Sequence, residues 1–117
     1  MKWFKDDDFQ CKCGCGFDIT DELKDLCDKA RDLAQIPFIV NSGARCLSHN
    51  RNEGSRDTSS HVKGIAVDIA TSSSSARFKV IQAFMKLGVS RFGINFNKNF
   101  IHIDIDTSKP QELIFGY

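Results

Sequence analysis

The chain has 117 residues, with 16 basic and 15 acidic side chains, a formal charge of +1 and 41% hydrophobic residues. That length suits a single domain, residues 1–117, able to bury its own core, and the near-neutral balance gives no electrostatic reason to expect a nucleic acid or an anionic membrane as partner. No apolar stretch approaches the roughly 20 residues needed to span a bilayer, and Met1 to Asp8 turns acidic before a signal-peptide apolar region develops, so cytoplasmic synthesis without membrane insertion is expected.

Taken in chain order, the first feature is Cys11-Lys12-Cys13-Gly14-Cys15-Gly16. Thiolates at short spacing bind soft ions, but structural zinc usually takes Cys pairs separated by about two to four residues, and no second pair follows to complete four ligands. Reduced cysteines in a tight glycine-containing turn are therefore the expectation here, and Cys27 and Cys46 read as small buried apolar residues. Residues 20–35 read as an amphipathic helix, with Thr20 as N-cap, Asp21 and Glu22 in the first turn, and Leu23, Leu26, Cys27, Ala30, Leu33 and Ala34 at helical spacing. Pro37 ends it. Phe38-Ile39-Val40 reads as a short strand closed by Asn41-Ser42-Gly43, and residues 44–60, polar and aperiodic, read as a long loop of the kind that is often functional. His49 in that loop reads as solvated, while Glu53 and Asp57 have the reach to approach a site. A strand over 65–70, a helix over about 75–87 stopped by Gly88, and strands over 90–95 and 100–106 complete the order α-β-β-α-β-β. The fold class is α+β, a small, mostly antiparallel sheet with two main helices.

Two of these strands carry chemistry. Successive strand residues face opposite sides, so Ile65, Val67 and Ile69 share a core face while Ala66, Asp68 and Ala70 share the other. The later strand repeats the device, with Ile101, Ile103 and Ile105 on one side and His102, Asp104 and Asp106 on the other. With His61 just ahead of the first strand, two imidazoles and a carboxylate are available, and two His plus one acid with a fourth position open is the ligand set of a hydrolytic zinc centre. Asp106, near a strand end, is expected to be exposed.

Ser59-x-His61-x-x-Gly64-x-Ala66-x-Asp68, preceded by Ser42-Gly43-x-Arg45 and Asn50 and followed by Phe100-Ile101-His102-Ile103-Asp104, resembles the zinc D-Ala-D-Ala carboxypeptidase and L-alanyl-D-glutamate endopeptidase family of bacteria and their phages. The Phe9 to Gly16 opening and Gly93-Ile94 extend the likeness over nearly the whole chain. The resemblance implies a hedgehog-type zinc fold, with His61, Asp68 and His102 as ligands to Zn2+, and Arg45 as a cation that polarises the scissile carbonyl or holds a substrate carboxylate. Ser59 would support the ligand loop and line the substrate site. It also implies a peptidoglycan stem peptide as substrate, a monomer, and release to the cell wall during lysis.

One position departs from the family pattern. Several members place an acidic general base three residues before the final His ligand, where this chain has Asn99, which cannot accept a proton at neutral pH. Asp104, on the same strand face as His102, is the expected base, with a ligand-orienting carboxylate as its other possible role. Because hedgehog signalling domains resemble this fold and keep a zinc site while serving as binding ligands, a non-catalytic zinc module is the alternative function.

Overall fold

A computed structural model describes all residues, 1–117. Helix α1 spans Asp21–Ala34, strand β1 Val40–Ser42, helix α2 Leu47–Asn52, β2 Ala66–Ala70, α3 Ser74–Lys86, β3 Arg91–Asn95, β4 Phe100–Asp104 and β5 Leu113–Gly116, with a 3-10 turn over Ser60–Lys63. The five strands form one sheet in the order β1-β2-β4-β3-β5. Three pairings are antiparallel and the fourth, β3 with β5, is parallel, so the α+β class holds and the sheet is mixed.

Local chemistry sets the long elements. The Thr20 hydroxyl accepts from the Leu23 N–H at the start of α1, and Ser73 does the same for Ala76 at the start of α3. Leu23, Cys27, Ala30 and Ala34 of α1 join Val80, Ala83 and Phe84 of α3 in one buried cluster with Val67, Ile69, Phe92, Ile101 and Ile103 of the sheet. Both long helices therefore cover the face that carries Val67 and Ile103, and the alternating residues Asp68, His102 and Asp104 are turned to the other face. Truncating a fully buried member such as Ile101 to Ala would cost about 2 to 5 kcal/mol.

Four expectations change. The polar stretch 44–60 contains α2 and ends where the 3-10 turn begins. The first strand is Val40–Ser42, two residues beyond Phe38-Ile39-Val40, because Phe38 is drawn into the core beside Phe84 while Ser42 pairs with Asp68. The strand expected over 100–106 stops at Asp104, and Asp106 is buried at 2% exposure by Ser60, Lys63 and Ser108, each of which donates to its carboxylate. Strand β5 has no counterpart in the sequence reading; Phe115 on it fills the space a Cβ at Gly93 would occupy.

Candidate metal centre

Strand register makes the first step of the site. Asp68 faces His102 directly across β2 and β4, with Ser42 on the far side of Asp68 and Gly93 on the far side of His102. Because Gly93 has no side chain, the Phe115 ring settles over it, 5.8 Å from the His102 ring. His61 arrives from the 3-10 turn. Ser59 caps that turn by accepting from the His61 N–H at 3.3 Å, and Gly64 closes it at φ +72°, where a Cβ would lie 2.9 Å from the Asp18 carbonyl oxygen.

The three side chains converge. Asp68 Oδ1 lies 3.2 Å from His61 Nε2 and 3.0 Å from His102 Nδ1, and the outer nitrogens are also engaged, His61 Nδ1 by the Gly43 carbonyl at 2.6 Å and His102 Nε2 by Asp104 Oδ2 at 2.7 Å. A neutral imidazole has one N–H, yet each ring here meets an acceptor at both nitrogens. A cation among the inner atoms resolves this: each ring donates its outer N–H to Gly43 or Asp104 and turns a lone pair inward. The spacing suits it as well, since bonds of about 2.0 Å in a tetrahedron put ligand atoms about 3.3 Å apart. The residues present thus fit a metal ion, and His61, Asp68 and His102 would hold it.

Electrostatics point the same way. Burial alone would raise the pKa of Asp68, but hydrogen bonding from His102 and His61 outweighs it and holds the carboxyl well below the usual range. Burial likewise disfavours a charged His102, and the Asp104 and Asp68 carboxylates overcome it and hold the ring above its ordinary value. The carboxylates therefore favour positive charge at this point, carried by a protonated ring or by a bound cation.

The ligands open on a cavity of about 340 Å³ lined mostly by polar residues, including Ser42, Arg45, Glu53, Ser55, Ser59, Lys98 and Tyr117. The Arg45 guanidinium is spread over four acceptors: Nε donates to Ser42 Oγ at 2.9 Å, Nη1 to Asn50 Oδ1 and Ser55 Oγ at 3.2 Å each, and Nη2 to Asp68 Oδ2 at 3.3 Å. One of its five N–H groups keeps no protein partner.

A family model for peptidase M15 matches residues 2–104. The chain belongs to the peptidase M15 family. No curated protein matches the chain. The match encloses all three candidate ligands, and the family assignment makes a metallopeptidase the coarse functional class, with a peptide as substrate. No helix is long and apolar enough to cross a membrane.

Within this family frame, the remaining sequence-derived residues fall in different places. Arg45 and Ser59 line the cavity. Asp104 does not: at 1% exposure its Oδ2 is held by His102 and by Arg91 Nε at 3.0 Å, and its Oδ1 accepts from the Asp106 N–H at 3.1 Å. Asn99 sits at φ +55° in the turn between β3 and β4, where Arg77 donates to its side chain. Asp57 pairs with Arg51 away from the cavity, whereas Glu53 lines it, with His49 at 3.4 Å. Arg91 and Tyr117 are site residues that sequence reasoning missed. Arg91 could have been found by asking which cation on a neighbouring strand answers a buried Asp104; Tyr117 carried no signal.

Proposed function

We propose that the protein is a zinc metallopeptidase that hydrolyses a peptide bond in the stem peptide of peptidoglycan, as a D-Ala-D-Ala carboxypeptidase or an L-Ala-D-Glu-type endopeptidase. The supporting observation is the convergence of His61 and His102 on one oxygen of Asp68, each ring locked from behind, at the wall of a polar cavity. A zinc ion held by His61, Asp68 and His102 would supply Lewis acidity and activation of water near neutral pH.

The chain's own residues divide the rest of the work. Glu53, the only carboxylate besides Asp68 in the cavity lining, takes the proton of the attacking water and returns it to the leaving amine. Arg45, with its unpartnered N–H, and Lys98 supply cations suited to a stem-peptide carboxylate or to the oxyanion. Ser59 holds the backbone of His61. Asp104 keeps His102 in the tautomer that turns Nδ1 inward, which its engaged oxygens favour over service as base. All 117 residues act as one catalytic unit, reaching the wall during lysis.

The test is incubation of the zinc-loaded protein with defined muropeptides, with products read by mass. Loss of a terminal D-Ala or scission within the stem is expected, abolished by chelator and restored by zinc. Bound zinc with no cleavage would favour the non-catalytic module, the reading that Asn99 in place of an acid supports.

A further inference from the structure

The cysteines form a second centre. The Sγ atoms of Cys11, Cys13, Cys15 and Cys46 all lie within 4.8 Å of one another, with Cys11 to Cys13 at 3.4 Å and Cys13 to Cys46 at 3.6 Å. These separations are far beyond a disulfide bond of about 2.05 Å, and all four thiols are free. They match the edge of a thiolate tetrahedron, about 3.8 Å for bonds of about 2.3 Å to zinc. The fourth thiol that the sequence lacks beside Cys11, Cys13 and Cys15 is delivered by the fold, from a residue more than thirty positions away.

The backbone around the cluster is built for sulfur. Gly14 and Gly16, both at φ +85°, turn the chain so that the three nearby thiols face one point, and the Cys11 N–H donates to the Phe17 carbonyl at 2.7 Å to close the turn. The Cys46 N–H donates to Cys11 Sγ at 3.3 Å, and the His49 N–H donates to Cys46 Sγ at 3.4 Å. Donors aimed at sulfur favour the thiolate, the form that binds metal. Cys13 and Cys15 are exposed, so the ordinary role of cysteine as a small core residue does not account for them, in contrast to buried Cys27.

We propose that Cys11, Cys13, Cys15 and Cys46 bind a second zinc ion in a closed tetrathiolate site. On binding, each of the four thiols gives up its proton to solvent, and the all-protein ligand set leaves no position for water. The role is anchoring. Cys46 follows Arg45, whose guanidinium reaches Asp68, and the Ala44 N–H donates to the Phe9 carbonyl at 2.9 Å, so the ion would tie the amino-terminal segment to the backbone from which Arg45 extends.

Metal analysis of the intact chain tests this without reference to turnover. Two zinc ions per chain are expected, falling to one both in His61→Ala and in Cys13→Ser/Cys15→Ser. Cobalt loaded into His61→Ala should give sulfur-to-metal charge-transfer absorption that the double Cys variant lacks. In the unaltered protein, zinc should slow alkylation of the four thiols at least tenfold relative to chelator-treated protein, a reading that survives if the Cys variants fail to fold. One zinc in the unaltered chain, none in folded His61→Ala, iron in place of zinc, or alkylation at the same rate with and without metal would each overturn the proposal.

Discussion

Replacing Asp104 by Asn separates a positioning carboxylate from a general base. The carboxylate is 1% exposed; Oδ2 accepts from His102 and Arg91, while Oδ1 accepts from the Asp106 N–H. An amide has one oxygen and one NH2, so in either orientation a donor meets a donor: the Asp106 N–H in one, His102 and Arg91 in the other. One such buried mismatch costs about 1 to 3 kcal/mol of stability. Arg91 is not stranded by the change, since Nη1 still donates to the Pro110 carbonyl at 3.0 Å and the guanidinium lies 5.2 Å from the Phe115 ring centroid. His102, however, loses the anion that fixes its tautomer, and losses of this kind weaken metal affinity about 10- to 100-fold, or about 1.4 to 2.7 kcal/mol. Chelator-competition titration on a Cys13→Ser/Cys15→Ser background, where a single site is read, measures this directly, and urea denaturation gives the stability term. Unchanged zinc affinity combined with a loss of turnover of about 100- to 10,000-fold would refute the reasoning and return Asp104 to the role of base.

Glu53→Gln should keep zinc and fold while lowering turnover about 100- to 10,000-fold, read as kcat beside metal content; retained turnover would remove Glu53 from the mechanism. Arg45→Lys should lose as much activity as Arg45→Ala, because one ammonium cannot reach Ser42, Asn50 and Asp68 as separate guanidinium nitrogens do; substantial rescue by Lys would mean that charge alone suffices. For Asp106, burial opposes ionisation, but donation by Ser108, Ser60 and Lys63 prevails and its folded pKa is depressed. Its contribution to stability is therefore present above the unfolded value of about 3.9 and is lost as pH falls below it, so Asp106→Asn should be less stable than the parent at pH 7, and the gap should narrow toward pH 3, as followed by denaturant midpoints.

The sequence carried the parts of the fold that repeat locally. Alternation placed Val67 and Ile69 against Asp68, and Ile101 and Ile103 against His102, and these are the faces the sheet uses. Thr20 and the 3.6-residue spacing marked α1 for the same reason. What stayed hidden depended on distant partners. Helix α2 is six residues long with Leu47 as its one large apolar residue, too short for a period, and β5 earns its place by parallel pairing with β3. Asp106 looked like a strand-end acid, yet it is buried because Lys63 and Ser60 come to it from more than forty residues away. Cys46 looked like a core residue because nothing near it in the chain reveals Cys11 and Cys13. Asp104 shared a face with His102 as expected, but Arg91 on the adjacent strand, invisible to alternation, is what occupies it.

The sheet order carries a further consequence for how this molecule breathes and diversifies. Asp68 and His102 stand on neighbouring interior strands, each flanked on both sides, so their amides should exchange with solvent only in the largest opening events. Glu53, Ser55 and Ser59 line the cavity from the span between α2 and the 3-10 turn, where regular backbone pairing is sparse and small openings suffice. Substrate preference can thus drift by changes in that span while the strands of the candidate ligands keep their register, and exchange rates along the chain should divide at the same boundary.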